Sequence, residues 1–316
     1  MMPIRPLLSL LSPAAGRARL SLLIFHRVVP EPDPLFPDEM HVRRFDEVCG
    51  WLKAWFNVLP LDEAVRALQA GSLPARACCI TFDDGYADNL HLATPILQKH
   101  GLSATFFVAT HFLDGGRMWN DTVIESIRLC RQPVLDLESL GQFALDSTAA
   151  RRSAIDAVIG QLKYLPLDER VNAAEGVARR AEVEPPNDLM MSSDEVRRLR
   201  QTGMVIGAHT VTHPILARLP QAQARAEMQE GRRVLQELLG ERIGLFAYPN
   251  GKPGADYLPE HADIARELGF DAAVSTAWGA ADSRTDLFQL PRFTPWDRSR
   301  ARFGLRLLRN LATQSH

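Results

Sequence analysis

Cysteine, net charge and uninterrupted apolar sequence are all scarce in this chain. Its four cysteines, Cys49, Cys78, Cys79 and Cys130, show no paired spacing, and two of them are adjacent within an apolar run. That pattern excludes a disulfide framework and a regularly spaced thiolate metal site, and it suits a reducing compartment. A net charge of -2 gives no electrostatic reason for a nucleic-acid partner, and none is expected. No apolar segment is long enough to span a bilayer, and Ser and Pro interrupt the leucine-rich N-terminus before it can form a leader's apolar stretch. A cytoplasmic location is therefore expected, rather than a periplasmic or secreted one. Repeats and low-complexity tracts are also missing. What is present, in 316 residues that are 46% hydrophobic and 23% charged, is an ordinary globular composition with enough apolar sequence for one large α/β core.

Apolar runs alternate with helical patterns along most of the chain. Residues 20–29 (Leu-Ser-Leu-Leu-Ile-Phe-His-Arg-Val-Val) read as a first strand carrying His26 at its C-terminal end, before a loop rich in proline and acid at 30–37. Further strands are expected at 56–59, 77–82, 104–109, 204–208, 243–247 and 272–275. Helices are expected at 45–55, 62–71, 89–100, 193–200, 222–239 and 262–268. From about 115 to 190 the alternation stops, and three helical patterns follow without a strand signal. This is a helical insertion, placed either over the strand ends or at the periphery. Seven strands joined by short helical crossovers imply a parallel, barrel-like α/β domain over 20–295. An N-terminal extension (1–19) precedes it. A basic helix (296–316) follows, with Arg298, Arg300, Arg302, Arg306 and Arg309 among leucines. That helix caps one end of the barrel or lies against an anionic membrane surface.

Two motifs carry chemistry. Ile80-Thr81-Phe82-Asp83-Asp84-Gly85 sets two carboxylates where a strand meets a loop, the edge at which parallel α/β proteins place their sites. A turn at Gly85 can aim both acids into one pocket, although a helix cap and a solvated acid would explain an Asp-Asp-Gly equally. His209-Thr210-Val211-Thr212-His213 follows another strand. One helical turn there would put both imidazoles on one side, where two nitrogens and one carboxylate oxygen leave a coordination position open for water.

In order and context these residues resemble the polysaccharide deacetylases, the NodB-homology or carbohydrate esterase family 4 enzymes. The resemblance implies a distorted (β/α)7 barrel with Asp83 as general base. It also implies Asp84, His209 and His213 as ligands of a divalent metal, Zn2+ above all. Two departures stand out. Where the family has Arg-x-Pro-Tyr, this chain has Ala247-Tyr248-Pro249-Asn250, so the arginine that orients the base is gone, while Tyr248, Pro249 and Asn250 remain the candidate substrate-binding turn with the Asn250 backbone N–H as oxyanion donor. Arg292, in Leu290-Pro291-Arg292-Phe293, is the candidate replacement, with an ordinary ion pair as the alternative. The family's late acid histidine is also missing. Phe25-His26-Arg27-Val28 resembles the Tyr-His-x-Val element of the exopolysaccharide-biosynthesis branch, which makes His26 the candidate acid, with a hydrogen-bonded core histidine as the competing reading.

The expected activity is metal-dependent removal of N-acetyl groups from N-acetylhexosamine units of a glycan in exopolysaccharide or cell-envelope metabolism. Alternatives are deacetylation or deformylation of a lipid-linked sugar, a catalytically impaired glycan-binding module, and a mononuclear iron oxygenase, whose chemistry would leave Asp83 unused. Trp119 is a candidate sugar-stacking residue, with packing as the plainer role. His41, His91, His100, His111 and His261 stand outside any motif, and the sequence gives no oligomeric state.

Overall fold

The computed structural model describes residues 4–313. Residues 1–3 of the expected extension and 314–316 of the expected C-terminal helix lie outside the described residues. Two compact units emerge. One consists of the chain up to Glu31, Met40–His111 and the chain from Met191 onward; the other consists of Pro32–Glu39 and Phe112–Met190.

Among the described residues nine strands are formed, in chain order: β1 (Leu20–Phe25), β2 (Asn57–Val58), β3 (Ala77–Phe82), β4 (Thr105–Val108), β5 (Val134–Asp136), β6 (Gln142–Ala144), β7 (Val205–Ala208), β8 (Leu245–Ala247) and β9 (Ala272–Val274). Seven of them make one parallel, strongly curled sheet in the first unit, ordered β1-β3-β4-β7-β8-β9 with β2 beside the start of β3. Most of its strands are buried throughout, which is why they read as continuous apolar runs rather than alternating ones. The first and last strands, β1 and β9, are not direct neighbours. Leu290–Phe293, which meets no strand definition, lies between them. The Leu290 N–H donates to the Ala273 carbonyl, the Ser275 N–H to Leu290, and the Phe293 and Leu22 main chains bond on the other side. A proline within this segment removes a ladder donor and keeps it irregular.

Register places the site. Phe25 pairs with Phe82, and Val108 with Ala208. His26, Asp83 and His209 each follow one residue later, along the same C-terminal edge. Alternation then sorts the faces. Leu20, Leu22, Ala77, Cys79, Phe107, Ala247, Val274 and Leu290 turn into one cluster that also takes Leu61, Ala64 and Leu68 of the helix Leu61–Gln69. Continuing that inward parity brings Thr81, Asp83 and Arg292 to the same side. On the opposite parity, Phe25, Phe82 and Phe106 stack at centroid spacings of 5.3 and 4.8 Å.

The terminal segments are part of this unit. Helix Ile4–Leu11 buries Leu8, and helix Arg300–Ala312 buries Phe303, Leu307 and Leu311, with Phe303 against Trp51, Trp55 and Phe293. The apolar face of the basic helix is therefore spent on the core. The stretch expected as one helix over 89–100 begins as a π-helical turn, Asn89–Ala93, before Thr94–His100.

In the second unit, helices Trp119–Leu129, Thr148–Leu162 and Leu167–Ala181 pack around Val123, Ile127, Ile155, Val158, Ala174 and Val177. An antiparallel hairpin, β5 with β6, was not expected. Its strands of three residues, mostly exposed, are too short to show a period. Nor did the sequence suggest that 32–39 belongs here, yet Leu35 joins the same core and Asp33 takes a bidentate pair from Arg128 at 3.0 and 2.7 Å.

Candidate functional site

β3 ends by sending its two carboxylates apart. Asp83 keeps the strand's inward alternation, and its N–H donates to the Phe25 carbonyl at 3.0 Å. At Asp84 the backbone turns into the left-handed region, φ 79°, followed by Gly85 at 93°. The bend thus begins one residue before the glycine, at a position where a non-glycine residue is strained. A Cβ on Gly85 would meet Val108 Cγ1 at 3.1 Å, a second reason for glycine there.

Arg292 supplies a cation from the closing segment, and it pairs with Asp83. Nη1 reaches Asp83 Oδ1 and Nη2 reaches Oδ2, both at 2.7 Å, while Nε donates to the Ser275 carbonyl at 2.8 Å and Nη1 also reaches Thr81 Oγ1 at 3.2 Å. Both partners are buried, 1% and 3% exposed. Burial alone would raise the Asp83 pKa; the Arg292 guanidinium, with His209 and His26, outweighs it and holds the carboxyl below its ordinary value. Asp83 is therefore ionised and fixed in direction.

Asp84 faces the histidines. His209 Nε2 and His213 Nε2 each lie 3.4 Å from Asp84 Oδ1, and that buried oxygen has no hydrogen-bond partner. One ligand atom from each of the three residues falls within 4.8 Å of the others. His209 Nδ1 is bonded to the Ala247 carbonyl at 2.8 Å, which fixes Nδ1 as the donor and leaves Nε2 for the centre. The expected helical turn between the histidines is not formed. Instead the loop takes left-handed steps at Thr210 (φ 67°) and His213 (φ 53°), bringing the rings to a centroid distance of 4.8 Å. Burial pushes the His213 pKa down to about 4. His209, also buried, is raised because Asp84 and Asp83 more than compensate, and Asp84 is lowered despite burial by the two imidazoles beside it. An orphaned buried carboxylate oxygen between two imidazole nitrogens fits a divalent ion, and the donor set suits zinc-like or other borderline metals.

His26 is exposed at the end of β1. That exposure does not fit the core-histidine reading. Residues that the sequence reading passed over hold it there. Asp88 accepts from the Val28 N–H at 3.1 Å and from Arg27 Nε at 2.8 Å, and Asn89 Nδ2 donates to the His26 carbonyl at 2.9 Å. Their signal was position alone, five and six residues after Asp83.

The turn after β8 divides the expected substrate residues. Tyr248 is fully buried: its hydroxyl donates to the Phe288 carbonyl at 2.9 Å and its ring stacks on Tyr257 at 3.8 Å. Its side chain is therefore a core element. Pro249 is buried too, and only Asn250, at φ 58°, is exposed. Trp119 is half-buried within the second unit under the Arg170 guanidinium, 5.1 Å from the ring centroid. Among the histidines without a motif, His100 bonds Asp46 at 2.7 Å, His91 bonds Glu195, and His261 accepts the Leu258 N–H at 2.9 Å.

A curled parallel α/β sheet with an aspartate-histidine triad at its C-terminal edge defines a class of hydrolase, and comparison with known proteins agrees. Residues 70–273 match the sequence profile of the polysaccharide deacetylases, and the chain belongs to that family. Its reaction class is accordingly hydrolysis of carbon–nitrogen bonds other than peptide bonds, in a family that acts on polysaccharides. YxkH of Bacillus subtilis (strain 168), which carries the name of a polysaccharide deacetylase, is 22% identical over 277 residues, 87% of this chain and 71% of YxkH. Among solved structures, the Streptococcus pyogenes deacetylase PplD in complex with acetate superposes at a TM-score of 0.62 with 20% identity, covering 93% of this chain and 98% of PplD. IcaB from Ammonifex degensii superposes at 0.59 with 19% identity, covering 96% and 99%. At such identities the structural likeness concerns the fold.

Proposed function

We propose that this protein is a metal-dependent N-deacetylase of N-acetylhexosamine units in an exopolysaccharide or cell-envelope glycan. The observation that carries the reading is the pairing of opposites on one strand end: Asp83 locked and ionised against Arg292, and Asp84 with an unpartnered oxygen between His209 and His213. A zinc ion held by Asp84, His209 and His213 would polarise the acetamide carbonyl and acidify water. Asp83 accepts the proton of the attacking water, and Arg292 keeps that carboxylate charged and aimed. The Asn250 N–H, on the turn after β8, donates to the oxygen that gains charge as the carbonyl is attacked. His26 returns a proton to the departing amine. PplD was solved with acetate, the small product that such a reaction would release.

Acetate release from N-acetylglucosamine oligomers and from a synthetic N-acetyl glycolipid tests this. The comparison runs wild type, Asp83→Asn and His26→Ala after chelation and return of Zn2+. Zinc-dependent release lost in both variants is the expected result. Loss in Asp83→Asn alone removes His26 from the chemistry. Sugar binding without release from any substrate points to the impaired binding module, and ferrous-dependent oxygen uptake to the oxygenase.

A second reading concerns where the substrate is held. Residues 298–313 contain no acid; Arg302, Leu305 and Arg309 share the exposed face of helix Arg300–Ala312, and Trp296 just before it is 67% exposed. Guanidinium groups beside exposed apolar side chains suit the headgroup zone of an anionic bilayer, and thus a lipid-linked sugar as substrate. Flotation with anionic and neutral vesicles decides it. Intact protein that stays off anionic vesicles ends this reading without touching the first.

A further inference from the structure

The two histidines of the triad are held by different means. His209 is fixed through its own ring by the Ala247 carbonyl. His213 depends on the path of the chain from Thr210 to Thr212, a loop with left-handed residues at Thr210 and His213. A strained path needs an external grip. Helix Gln221–Leu239 turns Ala224, Met228, Gly231 and Leu235 to the core, and Glu227 sits one turn before Gly231 on that side. Glu227 Oε2 accepts the N–H of Val211 at 2.9 Å and of Thr212 at 2.8 Å, and Thr212 Oγ1 donates to Oε1 at 2.8 Å. One carboxylate thus takes three bonds from the two residues at the middle of the His209–His213 interval. Gly231 lets the helix come close enough, since a Cβ there would lie 2.6 Å from the Thr210 carbonyl oxygen and 2.7 Å from its carbon.

We propose that Glu227 is a positioning residue for the metal centre, its carboxylate clamping the Val211–Thr212 backbone so that His213 Nε2 is set against Asp84 before any ion arrives, with Gly231 as the clearance that allows the clamp to close. This rests on the metal reading of the triad given above. Charge matters because a carboxylate accepting two backbone N–H groups and a hydroxyl forms stronger bonds than a neutral acceptor. The loop is also tied on its other side, where the Thr110 and His111 N–H groups donate to the Thr210 and Val211 carbonyls at 3.3 and 2.9 Å. Loss of Glu227 therefore loosens the loop without unfolding it.

The test is Zn2+ affinity, measured by competition with a chromophoric chelator on the intact chain, together with the apo-protein unfolding midpoint and amide exchange at Val211 and Thr212. Outer-shell partners of metal-bound histidines are worth about 10–100-fold in affinity, so Glu227→Ala should bind Zn2+ more weakly by that range and exchange both amides faster. Glu227→Gln, which keeps the shape and one acceptor but not the charge, should recover only part of the affinity, and Gly231→Ala should weaken binding with Glu227 intact. Glu227→Ala that binds Zn2+ as wild type does, or that loses affinity only as far as its unfolding midpoint falls, overturns the clamp while the triad stands. Wild type that binds no divalent ion overturns the metal reading and the clamp with it.

Discussion

Asp83 and Asp84 are neighbours with the same side chain, yet the fold treats them oppositely. Asp83 has both oxygens engaged by one guanidinium at 2.7 Å; Asp84 presents an oxygen that nothing in the protein satisfies. In the proposed roles, a base must be ionised, oriented and kept off the metal, and a bidentate arginine would do all three. A ligand must keep a lone pair open, which is costly in a buried place unless an ion takes it. One left-handed residue, Asp84 at φ 79°, separates the two environments. The difference lies in the partners brought to the strand end, not in the acids.

Removing the Asp83 partner should have the largest effect. Arg292→Met leaves a buried carboxylate without its cation, and losing one member of a buried pair costs about 3–5 kcal/mol. Chemical denaturation of the apo protein should show that loss, with Arg292→Lys between the two because it keeps charge but not the bidentate fork. Arg292→Met with unchanged stability and activity would make Asp83 no different from a surface acid. On the other side of the comparison, Asp84→Asn should leave the fold intact and weaken Zn2+ binding by more than the ~100-fold that bounds an outer-shell loss. If apo stability fell as far as in Arg292→Met, the two acids would be alike after all.

Much of this contrast could be read from the sequence, and the unread part has physical causes. The inner strands were visible because burial on both faces makes them unbroken apolar runs, and the triad because its members end such runs. The helical turn expected at 209–213 failed because side-chain spacing cannot reveal left-handed residues at Thr210 and His213. Tyr248 looked like a substrate residue because its motif position was legible and its burial was not. Glu227 escaped notice since a glutamate on an amphipathic helix resembles any solvated acid until the loop it grips is placed. The hairpin β5–β6 and the allegiance of 32–39 rest on contacts distant in sequence, which no local period encodes.

Protons offer a finer version of the comparison within the triad itself. Ions bind neutral imidazole, so a histidine that carries a proton in the apo protein must release it. His209 is raised above its ordinary 6.5, whereas His213 is pushed down to about 4. As the pH falls, His209 is therefore the first of the two to take up a proton that an ion must displace. Zn2+ affinity should therefore fall by about tenfold per pH unit below the raised His209 pKa, with one proton released on binding there, and steepen toward a second proton only as pH approaches about 4. Calorimetry in buffers of different ionisation enthalpy counts the protons. Release of two at neutral pH would mean that the histidines are equivalent.

The smallest effect is expected at Tyr248, and it separates core from site. Its hydroxyl donates to the Phe288 carbonyl at 2.9 Å while its ring stacks on Tyr257. Tyr248→Phe keeps the stack and removes one part-buried hydrogen bond, a loss of about 0.5–1.5 kcal/mol. The unfolding midpoint should drop accordingly, while kcat and KM for acetate release stay where they are. A change in KM with stability untouched would instead place the phenol against the substrate, and the buried position of Tyr248 would then have to open during turnover.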